Sequence, residues 1–124
     1  MLKGVIDMLT EFGKFTRKLR IDLNETLYQM AKRLDVSSSF LSAVEVGSKN
    51  VPKTWLNLLS KEYGLTKEKI EELKTAIELS SNIIKLDFSN KKLEDRELIL
   101  KLAKRISDLD VKAKEKLNKI LKEE

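Results

Sequence analysis

Residues 26 to 47, TLYQMAKRLDVSSSFLSAVEVG, constrain this chain more than any other stretch, because they read as two short helices joined by a tight turn. Leu27, Met30, Ala31 and Leu34 fall at i, i+3, i+4 and i+7, one stripe of an α-helix, with Lys32 and Arg33 off it. Ala31 is small and sits mid-stripe, where a second helix can approach closely. Ser37 is a favoured N-cap whose hydroxyl accepts from an unpaired helix N–H, so a new helix starts there. Gly47 ends it, as a residue that tolerates positive φ. Phe40, Leu41 and Val44 continue an apolar side that begins at Val36 or Ser37. Ser38, Ser39, Ser42, Ala43 and Val46 fall on the other side, a flank that is short, weakly polar and uncharged. A helix facing only water normally carries Lys, Glu and Arg, so such a flank suits close approach by something else. A plain helical hairpin inside an all-α core has the same periodicity.

The rest of the chain sets the bounds on what that stretch can serve. A length of 124 residues allows one domain, or a small domain with an appendage. With 41% hydrophobic and 36% charged residues, one Pro and four Gly, the composition is that of a helix-rich globular protein. No apolar run approaches the ~18 residues of a membrane span, and no signal-peptide pattern opens the chain. The cytoplasm is therefore the expected location. The chain has neither Cys nor His. That removes disulfides, thiolate ligands and nucleophiles, and the commonest acid–base group, so enzyme readings start at a disadvantage and no cofactor is expected. A net charge of +5 is compatible with a polyanionic partner without demanding one.

In chain order, residues 1 to 9 are apolar at Leu2, Val5, Ile6 and Leu9, an extension or arm, and Met8 could equally be a second start. Thr10 caps a first helix over residues 11 to 22, with Phe12, Phe15 and Leu19 inward and Lys14, Arg17 and Lys18 in water. Asn24 is the expected cap of the second helix. After Gly47 comes a loop to Pro52, which suits the first position of a fourth helix running to about Tyr63 on Trp55, Leu59 and Tyr63. Gly64 closes it, and Thr66 caps a fifth helix carrying Ile70, Leu73, Ala76 and Ile77.

From Ser80 the pattern changes. Residues 82 to 89, NIIKLDFS, alternate Ile84, Leu86 and Phe88 against Lys85 and Asp87, which predicts a short β-strand. A lone strand leaves its backbone unpaired, and residues 1 to 9 are the one other segment that could pair with it. The expectation is an intermolecular two-stranded ribbon through Ile84, Leu86 and Phe88. Two amphipathic helices follow, one marked by Leu93, Ile99, Leu100, Leu102, Ala103 and Ile106, the other capped by Asp110 and carrying Val111, Leu117, Ile120 and Leu121. Residues 81 to 124 are thus a candidate dimerisation region. The alternative is that they finish the core of a monomer.

The run Ala31, Leu34, Val36, Ser37, Ser39, Phe40, Leu41, Ser42, Val44, Glu45 and Gly47 resembles the lambda-repressor-like (Cro/C1, xenobiotic-response-element type) helix-turn-helix family. The resemblance implies a mainly α fold: a five-helix DNA-binding domain over residues 10 to 80, here followed by the strand and two C-terminal helices. It implies double-stranded DNA as partner, with the third helix in the major groove. Carried over residue by residue, Ser38, Ser39, Ser42 and Ala43 are the candidates for base edges, with Ser37 at the start of that helix. Hydroxyls serve several bases, and the Ala43 methyl can meet a thymine methyl. Ser48, Lys49, Asn50 and Lys53 sit where a phosphate strand would pass, and Thr26 and Gln29 could add phosphate contacts from the second helix. The resemblance also implies a buried ion pair between Arg20 and Glu45 that aims the reading helix.

Three departures matter. Leu27 stands where Gln is common, Asp35 takes the place of the turn glycine, and Val46 replaces the usual Asn. Asp can adopt the left-handed conformation that the turn requires. No Arg, Gln or Asn stands at 38, 39, 42 or 43, so the bidentate base readers are missing, and affinity should lean on phosphate contacts, DNA shape and a dimer binding two half-sites. The expected function is a DNA-binding regulator, an autorepressor acting as a homodimer on a palindromic operator. The second reading is an antitoxin that also binds a toxin through the region after Ser80. Carboxylate pairs such as Glu71 and Glu72, or Glu94 and Asp95, are the only footing for an enzyme, and neighbouring acids on exposed helices are ordinarily solvation.

Overall fold

The computed structural model describes residues 8 to 122. The expected N-terminal extension falls almost wholly outside them. The protein is mainly α. Five helices occupy the first part: α1 (Glu11–Leu23), α2 (Leu27–Arg33), α3 (Ser38–Glu45), α4 (Trp55–Glu62) and α5 (Lys67–Ser80). Two follow, α6 (Leu93–Arg105) and α7 (Val111–Lys122), with a 3-10 turn at Ile106–Asp108 between them. The chain divides after Ile84 into two compact units.

In the first unit four of the five helices begin where a short hydroxyl side chain takes up an orphan N–H. Thr10 accepts from Gly13, Thr26 from Gln29, Ser37 from Phe40 and Thr66 from Lys69. The breaks between helices use positive φ at Asn24 (53°), Asp35 (56°), Gly47 (87°) and Gly64 (55°). Asp35 thus does adopt the left-handed conformation in the turn between α2 and α3. Asn24 does not cap α2 as the sequence suggested. It closes α1 in the left-handed region, and Thr26 caps α2 through a capping box in which Gln29 Oε1 accepts from the Thr26 N–H. Thr26 is the better cap because Gln29 stands three residues on, able to answer it.

Helix α4 also starts later than Pro52. Residues 52 to 54 form a turn in which the Trp55 N–H donates to the Pro52 carbonyl at 3.0 Å. The helix begins at Trp55 with no side-chain cap.

The apolar stripes meet in one core of Phe12, Met30, Ala31, Leu34, Leu41, Val44, Trp55, Leu59 and Leu73. Trp55 is its hub, with Phe12 tilted against it at 6.0 Å and Phe40 edge-on at 5.9 Å between ring centroids. Helix α1 packs on both α3 and α5, α2 on α3, and α4 on α5. The buried Phe12 N–H donates to the Ser80 hydroxyl at 2.9 Å, tying the start of α1 to the end of α5.

The strand expected at residues 82 to 89 does not form: no strand occurs among the described residues. Local side-chain bonds compete with extension at both ends of the segment. The Ser81 Oγ accepts from the Ile83 N–H, and the Asp87 carboxylate accepts from the Ser89 N–H at 2.9 Å. The Ser89 bonds hold the Asp87 carboxyl below its ordinary pKa. Ile84 and Leu86 are exposed and Phe88 is half-buried. A ribbon through these three residues would need a second chain. No helix of the described residues is long and apolar enough to cross a membrane.

Candidate nucleic-acid interface

Helix α3 owes its position to its inner side. Leu41 and Val44 are buried at 0% and 1% exposure, and Glu45 is buried at 4%. An acid at that depth needs a partner. The Arg20 guanidinium supplies it as a two-pronged pair, Nη1 to Oε2 at 2.5 Å and Nη2 to Oε1 at 3.1 Å. The Thr16 hydroxyl, also fully buried, donates to the same carboxylate. Arg20 Nη1 further lies 3.2 Å from the Met30 sulfur. No buried side-chain polar atom among the described residues lacks a partner. The expected Arg20–Glu45 ion pair is therefore present.

The backbone of Glu45 is held as firmly as its side chain. Its carbonyl accepts from the Thr10 N–H and the Thr10 hydroxyl, both at 2.9 Å. Gly13 lets the two helices come this close. Sequence reasoning missed Thr10, Gly13 and Thr16 in this role. Each looks like an ordinary cap, helix interior or core residue, and the only available signal was Gly13 and Thr16 lying on the same side of α1 as Arg20.

The other side of α3 is open. Ser39 and Ser42 are exposed, and Ser38, Ala43 and Val46 are half-buried. None of the candidate base-contacting residues is lost to the core. At the C-terminus of α3 the Ala43 carbonyl accepts from the Ser48 N–H (2.9 Å) and the Lys49 N–H (3.2 Å). This folds the loop back over the helix end, with Ser48, Lys49, Asn50 and Lys53 exposed. The loop backbone is thus fixed while its long cationic side chains stay in water.

At the start of α2, the capping box uses the acceptor oxygens of Thr26 and Gln29, at 3.1 and 2.8 Å. The Thr26 O–H and the Gln29 NH₂ remain as outward donors on exposed residues. Donors are what an acceptor-only phosphate takes. Ser37 likewise spends its oxygen lone pair on Phe40 and keeps its proton.

A second polar cluster was not anticipated. Glu25, whose side chain is 7% exposed, pairs with Arg33 at 3.0 Å and accepts from the Tyr63 hydroxyl. Arg33 lies over the Tyr63 ring, 4.6 Å from its centroid, and donates to the Glu62 carbonyl at 3.2 Å. Burial, then the Glu25 bond and charge, push the Tyr63 phenol far above its ordinary pKa of 10.0. These contacts lock the α1–α2 connection onto the end of α4. Glu25, Arg33 and Tyr63 are distant in sequence and follow no helical spacing, so no periodicity could have revealed them.

No group of three or more acidic side chains suited to holding a metal ion occurs among the described residues. The Glu11, Glu68, Glu71 and Glu72 carboxylates line an open, shallow groove with Leu79. Comparison with protein-family models, curated proteins and solved structures finds no match to this chain.

Proposed function

We propose that this chain is a sequence-specific DNA-binding regulator of the lambda-repressor-like helix-turn-helix type, with α3 lying in the major groove. The observation that carries the reading is the contrast between the two sides of α3. Its inner side is fixed by a buried ion pair, while its outer side carries exposed Ser39 and Ser42 with half-buried Ser38 and Ala43, all short and uncharged. A rigidly held helix with a short-side-chain flank lets a duplex approach the helix axis, and hydroxyls offer both donors and acceptors to base edges.

Ser38, Ser39, Ser42 and Ala43 would touch bases. Ser37, Ser48, Lys49, Asn50 and Lys53, with Thr26 and Gln29, would grip the flanking phosphates. Short hydroxyls give less discrimination each than a bidentate Arg or Asn, so a palindromic site read by two copies would supply the rest. Repression of the chain's own operon is the simplest regulatory outcome of such a reader.

Footprinting on the DNA upstream of the coding sequence tests this directly. A protected palindrome whose half-sites lie about one helical turn apart, ~34 Å, is the expected result. Binding with the same affinity to every duplex offered would reject sequence-specific regulation. A chain that binds DNA only when co-purified with a second protein would favour the antitoxin reading instead.

A further inference from the structure

Val46 differs from the other large apolar side chains of α3 and its caps. Leu41 and Val44 lie in the core and Phe40 packs against it. Among the described residues Val46 belongs to neither group, and it stays half-buried. Its N–H still donates to the Ser42 carbonyl at 3.1 Å, with φ at −93° and ψ at 0°, so it keeps the helical register. Counting ~100° per residue, Val46 points within about 20° of Ser39 and about 60° from Ala43, whereas Leu41 and Val44 point about 140° and 160° away from it. Val46 therefore lies in the middle of the open flank, and the core does not account for it.

Ala43 and Val46 are three residues apart and so neighbour each other on the helix surface as one small apolar spot. Few features of a duplex complement such a spot. Phosphates and most base edges are polar, and covering one with valine strips its water without giving a hydrogen bond in return. The one apolar feature of an unmodified major groove is the C5 methyl of thymine. We infer that Val46, alongside Ala43, reads the C5 methyl of a thymine in each half-site of the operator. The inference rests on the DNA reading proposed above, and it gives a role to a position where only the loss of the usual Asn was counted. Val46 stands seven residues beyond Ser39, about 10 Å along the helix, so its thymine falls within about three base pairs of the one that Ser39 touches.

Titration of duplexes that carry the footprinted operator tests this, with each thymine in turn replaced by deoxyuridine. That exchange removes only the C5 methyl and leaves base pairing intact. For the parent chain, one thymine in each half-site should lose roughly fourfold in affinity on losing its methyl. It should lie within about three base pairs of the pair whose preference changes in Ser39→Ala. Val46→Ala should weaken binding to the unmodified operator by a similar factor, and deoxyuridine at that thymine should then cost less than about twofold. Val46→Ala should also keep the Trp55 fluorescence and the salt dependence of the parent chain, because the side chain lies off the core and carries no charge. Deoxyuridine effects that are the same at every position in the parent and in Val46→Ala would overturn the inference. Operator binding that still depended on Lys49 and Lys53 would in that case leave the DNA reading standing. A chain that protects no upstream DNA would overturn both.

Discussion

The carbonyl oxygen of Glu45 lies so close to Gly13 that a Cβ there would clash with it. That carbonyl is backbone, fixed by two bonds from Thr10, so it cannot swing aside. The last turn of α3 and the first turns of α1 are thereby in direct main-chain contact. Whatever α3 presents outward is carried on that contact.

Gly13→Ala follows from it with an unusual sign. Alanine in a helix interior is ordinarily favoured over glycine by roughly 1 kcal/mol. Here the added methyl must push α1 from α3 and strain both Thr10 bonds, so a net loss of about 1–3 kcal/mol is expected. Urea unfolding followed by Trp55 fluorescence measures it. A neutral or stabilised variant would mean the two helices are not clamped as described.

The Arg20–Glu45 pair predicts a pattern of non-additivity. Arg20→Met or Glu45→Leu alone strands a buried charge, and each should cost about 3–5 kcal/mol. The double substitution leaves no charge to strand, and Thr16 can turn its hydroxyl to the Phe12 or Gly13 carbonyl, 3.2 and 3.1 Å away. It should therefore be well short of the sum, with a coupling of at least about 1 kcal/mol. Simple addition of the two losses would show that the pair contributes nothing as a pair.

Tyr63 ties stability to alkaline pH. Its phenol is protonated in the fold well beyond the pH at which the unfolded chain releases the proton, because burial disfavours the phenolate and ionisation would place a second negative charge beside Glu25. The contribution is fully present below the unfolded value of 10.0 and is lost as pH rises above it towards the folded pKa. Tyr63→Phe should cost about 1 kcal/mol at pH 7 and should flatten the decline above pH 10. Parallel curves for the parent and Tyr63→Phe proteins would show that the phenol does not titrate differently on folding.

The stripes and caps of α1 to α5 were legible in the sequence because each is local: apolar residues three and four apart, and a hydroxyl just before them. The open flank of α3 was legible for the same reason, whereas its ion pair with Arg20, 25 residues away, was expected only because the family resemblance implied it. What escaped depends on residues far apart in the chain. Gly13 is indistinguishable from a helix defect until Glu45 lies beside it, and Glu25, Arg33 and Tyr63 meet only when α4 folds back. The alternation at Ile84, Leu86 and Phe88 describes a strand only where a partner exists, and within the single chain Ser81 and Asp87 instead turn the backbone locally.

DNA binding offers the sharpest separation of roles. Lys49→Ala with Lys53→Ala should weaken binding to every duplex alike and lower the dependence of log K on log salt by about 1 per lysine, as each lost phosphate contact releases one counterion fewer. Ser39→Ala should leave the salt dependence unchanged and alter the preference at one base-pair position by about 1 kcal/mol or less, since a single hydroxyl is worth less than a bidentate contact. Titrations of the operator and single-base variants at several salt concentrations distinguish the two. If the serine and lysine variants lose affinity equally across sequences, α3 does not read bases, and the exposed serine flank must serve a protein partner instead.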